Sequence, residues 1–265
     1  MLIRSWNLFH GRTVPSGRKR YFERMVKLSC EGAPAIVVLQ ELAVGTLAQL
    51  EAWSGYTAHG DVAAPARLPD RLAAFLTDVD PNRLRSAVEG QANAILLAPG
   101  LHASDHQAIV LNPRGFRKRI ADEFGLGVGT RLRWARERRI CQAVRVSLED
   151  GRTAVVGNLH ATSLRDDKRV ADAELLRAAA FLDGLADPEE PVVLAGDFNV
   201  TLVSSPTLRA LGTSEWGFSQ AGPGFDHVLV RGLIPQGLER RWPEDLRRHG
   251  DVLLSDHAPV ELEVR

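Results

Sequence analysis

The sequence predicts an α+β fold in which two β-sheets, mostly antiparallel or mixed, pack face to face with helices outside. Three observations lead there. Many short strand-like runs alternate with a few amphipathic helices. Several of the strands are apolar at every position, so they are covered on both faces. Polar residues gather at strand ends, at Asn7, Glu41, His160, Asp197, Asn199, Asp226 and Asp256-His257. Loops at one edge of a sandwich can bring such residues together. The 265 residues suit one domain spanning 1–265.

The elements follow in order. Leu2 to Trp6 reads as a strand ending at Asn7. Arg18 to Glu31 carries Tyr21, Phe22, Met25, Val26 and Leu28 at helical spacing. Ala35 to Leu39 is a short apolar run that ends in Gln40-Glu41, and Val44 to Trp53 reads as a second helix. Pro65 to Gly90 mixes Leu, Ala and Arg at helical spacing, broken at Pro81. Ala92–Leu97, His106–Leu111, Ile140–Leu148 and Thr153–Leu159 are strand-like. Lys168 to Leu185 is a helix with Leu175, Leu176, Ala179 and Leu182 on one face. A strand at Val192–Ala195, a short helix near Pro206–Leu211 and strands at Phe225–Val230 and His257–Val264 complete the chain.

Composition narrows the function. An apolar content of 45% supports a sizeable core. No apolar run approaches the ~20 residues that span a bilayer, and Met1 to Asn7 lacks a basic leader with an apolar stretch behind it, so a cytoplasmic protein is expected. Cys30 and Cys141 form neither a metal pattern nor a disulfide framework. Zero net charge excludes a globally basic nucleic-acid surface. Locally, however, Arg114, Arg117, Lys118, Arg119, Arg131, Arg133, Arg136, Arg138 and Arg139 make one basic stretch. Arginine binds phosphate as a two-pronged fork, although such runs also make ordinary solvated faces.

The strand-end residues suit phosphate chemistry. Breaking a phosphoester builds negative charge on phosphoryl oxygens, so catalysis needs a cation, an activated water and donors aimed at that charge. A hard divalent ion such as Mg²⁺ takes carboxylate, carbonyl and water oxygens. Glu41 is the leading candidate ligand, with Asn7 supplying an amide oxygen and Asp256 a second carboxylate. No His/Cys cluster has zinc spacing. Asp197 is placed to orient or deprotonate water, and Asn199 to hold that water or a phosphoryl oxygen. His257 could stabilise the pentavalent phosphorus, with Asp226 fixing its tautomer. Singly, each residue has an ordinary reading: Gly-Asp-x-Asn is often a turn, and Glu41 could cap a helix. The ordered set is much less likely to arise by accident.

That order resembles the endonuclease/exonuclease/phosphatase superfamily with its DNase I-like fold. The resemblance runs from Trp6-Asn7 to Asp256-His257 and is strongest at Leu39-Gln40-Glu41, Gly196-Asp197-Phe198-Asn199 and Ser255-Asp256-His257. It implies a four-layer α/β/β/α sandwich, Mg²⁺ or Mn²⁺, and in-line attack of water on a phosphoester. By resemblance Glu41 is the principal metal ligand, assisted by Asn7 and Asp256. Asp197 activates water, Asn199 positions it, Asp226 and His257 form a carboxylate–histidine dyad, and His160 binds phosphate. His10 and Arg12, just past Asn7, and Arg139, before a strand at Ile140 that should approach the same edge, are further candidates for substrate contact.

The chain departs from abasic-site endonucleases. Phe9 stands where an acidic residue is usual, Asn158-Leu159-His160 replaces a Tyr-containing segment, and Asp226-His227 replaces Asp-Tyr. Trp216 and Phe218 lie in the loop of the damage pocket but read as packing residues. These points weigh against abasic-site repair. A phosphodiesterase or nuclease is the first expectation. Hydrolysis of a small phosphorylated metabolite or lipid head group is the second, and a non-catalytic phosphate-binding module the third.

Overall fold

A computed structural model describes residues 1–66 and 90–265. The helical reading of Pro65–Gly90 therefore falls almost wholly outside the described residues. Strand β1 (Leu2–Asn7) pairs in parallel with β3 (Ile36–Leu42) and antiparallel with β14 (Val260–Glu263). Beyond β3 come β5 (Gln91–Leu97) and β4 (Thr57–Ala64), while β11 (Arg240–Arg241) flanks β14, giving a six-stranded sheet. The second sheet has five strands in the order β10 (Asp226–Arg231), β9 (Val192–Asp197), β8 (Thr153–His160), β7 (Ile140–Ser147) and β6 (Ala103–Val110). A small sheet joins β12 (Arg248–His249), β13 (Val252–Leu254) and β2 (Thr13–Val14).

The apolar strands are covered on both faces, as their composition requires. On β3, Ile36 and Val38 enter the core between the sheets, where they meet Val156, Val193, Ala195 and Val228. Val37 and Leu39 enter a different core, beneath helices α1 (Phe22–Ser29) and α2 (Leu50–Ser54). On β9, Val193 faces inward while Val192 and Leu194 pack under the long helix α5 (Arg169–Leu185) and α6 (Pro206–Leu211). The sandwich is thus helix, sheet, sheet, helix, and the expected four layers are present.

Three local expectations are refined. The helix read from Val44 is a 3-10 stretch, Val44–Gln49, followed by α2 and ended by Gly55 at φ 72°. The basic stretch folds into α3 (Arg114–Glu123) and α4 (Val128–Arg136), whose buried residues, Ile120, Ala121 and Trp134, pack against Leu164, Val170 and Ala173. Exposed Val128 and Leu132 and interspersed arginines blur that periodicity in the sequence. The last strand starts at Val260 rather than His257, because Pro259 lacks an N–H and the His257 carbonyl accepts from Trp6 Nε1 at 2.9 Å. Among the described residues, no helix is long and apolar enough to cross a membrane.

Candidate active site

Strand alternation builds the site. Successive side chains point to opposite faces, so Ile3, Ser5 and Asn7 share the inner face of β1. Likewise Val156, Asn158 and His160 share a face of β8, and Val193, Ala195 and Asp197 a face of β9. In each series the inner residue changes from apolar to polar on approaching one edge of the sandwich. Register fixes the neighbours: Asp197 stands opposite His160 on one side and Asp226 on the other, and Asn7 stands opposite Gln40.

Just below this edge a polar bridge ties the sheets. Gln40 Nε2 donates to Asn158 Oδ1 at 2.8 Å, and Asn158 Nδ2 donates to the carbonyls of Leu39 and Ala94, each at 2.9 Å. Both side chains are fully buried; the Asn158 amide is satisfied by these bonds, while Gln40 Oε1 has no hydrogen-bond partner among the described residues.

Three backbone distortions carry functional side chains. A register irregularity between Leu39 and Leu42 leaves Glu41 at φ 54°, which rotates its side chain out of the strand alternation. Gly196 has φ 142°, and a Cβ there would stand 1.9 Å from the Leu159 carbonyl oxygen, so only glycine fits before Asp197. Ser255 has φ 63°, and its hydroxyl donates to the Asn7 carbonyl at 2.7 Å while accepting from His257 N–H at 3.0 Å. The Ser-Asp-His motif is thereby clamped onto the end of β1.

Asp197 lies at the centre and is buried. Asn7 Nδ2 donates to its Oδ2 at 3.0 Å, and Asn199 N–H donates to its Oδ1 at 3.0 Å. The turn reading of Gly-Asp-x-Asn is therefore correct and coexists with the site. Burial pushes the Asp197 carboxyl up to about 7, reinforced by the Asp226 charge and opposed by His257 and the Asn7 hydrogen bond. Asn199 Nδ2 donates to the Ala161 carbonyl at 3.1 Å, so its amide group also fixes the β8 exit.

The two histidines beside Asp197 differ. His257 Nδ1 bonds both oxygens of Asp226, at 2.9 and 3.0 Å, which leaves Nε2 facing Asp197 Oδ2 at 3.9 Å. Burial alone would lower the His257 pKa. The Asp226 carboxylate and its hydrogen bond, aided by Asp197 and Asp256, reverse that and lift it to about 10. His160 is held well below its ordinary value by burial, then by the charges of Arg139, His257 and His10. Its Nε2 lies 3.7 Å from Asp197 Oδ2 and 3.8 Å from Glu41 Oε1.

Of the remaining candidates, Glu41 has a side chain 20% exposed and His10 Nε2 3.6 Å from its Oε2. Arg139 is buried against Glu137 Oε2 at 2.6 Å, Gln91 Oε1 at 3.0 Å and the His160 ring at 3.2 Å. Arg12 is fully buried, and its carbonyl accepts from Ser255 N–H. Asp256 is exposed, outside the buried group. Trp216 and Phe218 pack on the core beside α5, as ordinary packing requires.

Sequence reasoning missed Gln91 and Lys168. Gln91 Nε2 lies 3.0 Å from His160 Nδ1, at the start of a strand running opposite to β3. Lys168 caps α5, and its Nζ lies 4.8 Å from the Phe225 ring centroid. Burial lowers its pKa while the nearby Asp197 charge opposes the shift. Neither sits in a motif; only the antiparallel register and the exit of β8 bring them here.

The donor set suits a divalent cation. Glu41 and Asp197 present carboxylate oxygens to the same nitrogen, His160 Nε2, at 3.8 and 3.7 Å, and Glu41 is the more exposed of the two; Asn7 Oδ1 accepts from Phe9 N–H at 3.0 Å. Ligand atoms of Asp197, Asp226 and His257 also lie within 4.8 Å of one another. There, however, both Asp226 oxygens already accept from His257, so that cluster reads first as a dyad. A separate cavity of about 540 Å³, lined by Met1, Ala98, Leu148 and Arg265 among others, opens at the opposite strand ends. It lies away from this chemistry.

Comparison with known proteins identifies the family and the fold. The profile of the Endonuclease/Exonuclease/phosphatase family matches residues 5–257. The chain is 34% identical over 113 residues to a UPF0294 protein of Vibrio cholerae, a match covering 38% of this chain and 39% of that protein. The chain thus matches well under half the length of this curated relative. Among solved structures, a Bacteroides thetaiotaomicron mannosyl-6-phosphatase superposes with TM-score 0.67 at 15% identity, covering 100% of this chain and 99% of that one. A humanised D. rerio TDP2 gives TM-score 0.64 at 14% identity, covering 100% and 98%. A conserved Enterococcus faecalis protein of unknown function gives 0.68 at 16%, covering 100% and 99%. The chain belongs to the endonuclease/exonuclease/phosphatase family, whose members are hydrolases, phosphatases and nucleases.

Proposed function

We propose that this family member is a divalent-metal-dependent phosphoester hydrolase, and that a phosphodiester, including that of a nucleic acid, is its first substrate class. The observation that carries the reading is Asp197. It is buried between Asn7, His160 and His257 and is lifted to about 7, where a carboxylate is poised to take a proton from water at neutral pH.

Asn7 donates to Oδ2 and the Asn199 N–H to Oδ1, so the base is fixed in orientation. Asp226 holds Nδ1–H of His257, so the imidazolium presents Nε2–H toward the reaction space. The 3.9 Å gap from Nε2 to Asp197 is too long for a hydrogen bond and leaves room for a water or a phosphoryl oxygen. His257 is a cation there and balances the charge that builds on phosphorus-bound oxygens. Arg139 and Lys168 add positive charge on either side. Glu41, with Asn7, would hold Mg²⁺ or Mn²⁺, which supplies Lewis-acid polarisation of a phosphoryl oxygen. Asp256 is exposed and is assigned a supporting charge beside His257 rather than a ligand within the buried group.

The local basic helices α3 and α4 lie in the chain between β6 and β7, just before Arg139, which favours an extended anionic substrate over a small phosphorylated metabolite or lipid head group. The test is hydrolysis of plasmid DNA, single-stranded DNA, bis(p-nitrophenyl) phosphate and a panel of phosphomonoesters, with Mg²⁺ or Mn²⁺ and with Asp197→Ala alongside. Metal-dependent diester cleavage that Asp197→Ala abolishes is expected. Turnover of monoesters alone would move the assignment to a phosphatase, and inactivity on every class would overturn it.

A further inference from the structure

We infer that the groove between helices α3 and α4 is a phosphate subsite, holding one backbone phosphate of a polynucleotide strand while another linkage of the same strand lies at Asp197. This rests on the phosphodiesterase reading above and deepens it by naming a polymer as the substrate.

The basic residues of these helices sort into two groups. One group is neutralised: Arg119 has Glu123 at 3.7 Å, and Arg133 has Asp166 at 3.4 Å. Exposed pairs of this kind make an ordinary solvated face. The other group converges. Arg114, Arg117 and Lys118 are three and four residues apart, so they share one side of α3. With Arg131 of α4 they line a groove of about 220 Å³, together with Ala121 and Trp134 and with no carboxylate. Among the described residues, Arg131 alone of the four cations has an acidic partner, Asp122 at 2.7 Å. Like charges around one small volume raise its potential and focus it on whatever anion enters.

Two of the four cations are fixed in advance. Arg117 Nη1 donates to the Asn112 carbonyl at 2.5 Å. Arg131 donates from Nε to the Leu126 carbonyl at 2.7 Å and from Nη2 to the Ala121 carbonyl at 3.0 Å. A guanidinium has more N–H groups than these bonds consume, so each keeps donors for an oxyanion. Arg114 and Lys118 are exposed and complete the ring of charge.

Both walls of the groove are tied to the catalytic edge. Beside Arg117, Asn112 Oδ1 accepts from Arg139 N–H at 3.1 Å, and the Arg139 guanidinium lies 3.2 Å from His160 Nδ1. On the other wall, Trp134 Nε1 donates to Glu174 Oε1 at 2.7 Å. Glu174 Oε2 in turn accepts from Thr162 N–H at 2.6 Å, just past the end of β8. The groove therefore stands at a fixed offset from Asp197. A strand of linked phosphodiesters presents one phosphate at Asp197 and a second in the groove at the same time. A lipid head group with a single phosphodiester presents only one.

The probe is a fluorescein-labelled single-stranded DNA oligonucleotide, followed by fluorescence anisotropy across a salt series in EDTA so that nothing is cut. Wild type is compared with Arg114→Gln/Lys118→Gln and with Arg152→Gln/Arg265→Gln, which removes the same charge at the opposite strand ends. Circular dichroism checks the fold of each. The groove variant should bind about tenfold less tightly, and its plot of log K against log salt should flatten by about 1–1.5, since each lost contact to a single strand removes about 0.7. The opposite-end variant should match wild type. In turnover of single-stranded DNA with Mn²⁺, KM of the groove variant should rise by more than kcat falls. Unchanged DNA affinity in the groove variant would overturn the subsite, and so would equal weakening in both variants, which net charge alone explains. Loss of binding to phosphatidylserine vesicles with DNA binding kept would overturn it as well, by assigning the groove to a membrane surface. If wild type turns over bis(p-nitrophenyl) phosphate while both variants bind DNA alike, the subsite fails and the hydrolase reading stands. If the groove variant loses affinity and slope as expected but wild type hydrolyses no phosphoester, the phosphate site stands and the hydrolase reading fails.

Discussion

Two histidines face the same carboxylate from opposite sides of the site, and their environments give them different charge states. On the β8 side, His160 is buried against the Arg139 guanidinium and stays neutral. On the β10 side, His257 is held between Asp226 and Asp197 and stays protonated up to about 10. One residue type thus serves as a neutral imidazole beside Glu41, accepting at Nδ1 from Gln91 and Arg139, and as a fixed cation in the dyad. The partner that each ring meets decides the difference, and each partner comes from a different strand.

The largest perturbation is to remove either carboxylate that His160 faces, of which Asp197 is also faced by His257. Asp197→Ala and Glu41→Ala are each expected to lower kcat about 10²–10³-fold or more while leaving far-ultraviolet circular dichroism unchanged. Near-wild-type turnover in either would sink the site as drawn. Next, Arg139→Gln attacks the neutral half alone. It should raise the His160 pKa, seen as a shifted imidazole titration by nuclear magnetic resonance, with activity down about tenfold to a hundredfold. An unmoved His160 titration would show that burial, not Arg139, sets its state.

The charged half makes itself visible in pH dependence. Asp197 must be ionised to accept a proton, so the rate should rise with pH through about 7 in weakly bound metal. His257 must be protonated, so the rate should fall again as pH passes about 10. Asp226→Asn should move the alkaline limb to lower pH, and a limb that stays put would remove His257 from that role. The smallest effect is on stability. His257 has a folded pKa raised above its ordinary 6.5, so its contribution is fully present below that pH and is lost as pH rises through about 10. Thermal melts of metal-free protein should show this decline, and Asp226→Asn should flatten it.

Much of this arrangement was legible before any fold was seen. Gly196 is required because a Cβ would collide with the Leu159 carbonyl, and Asn199 and Ser255 occupy left-handed positions at φ 54° and 63°. Such local demands leave a mark in sequence, which is why the Gly-Asp-x-Asn and Ser-Asp-His signals were readable. The apolar runs on β3 and β9 likewise announced strands covered on both faces. Helices α3 and α4 were not announced, because exposed Val128 and Leu132 and interspersed arginines blur their helical periodicity.

By itself the sequence determined the two stacked sheets with helices outside and the polar strand ends, since both follow from local periodicity. Only the tertiary structure decided which histidine is charged, that Gln91 and Lys168 join the site, that Asp256 stands outside its buried part, and that four cations of α3 and α4 line one groove. The physical reason is that charge state and proximity depend on neighbours distant in sequence. Asp226 and His257 are 31 residues apart and Asn7 and Asp197 are 190 apart, and they meet only once the two sheets have paired and stacked.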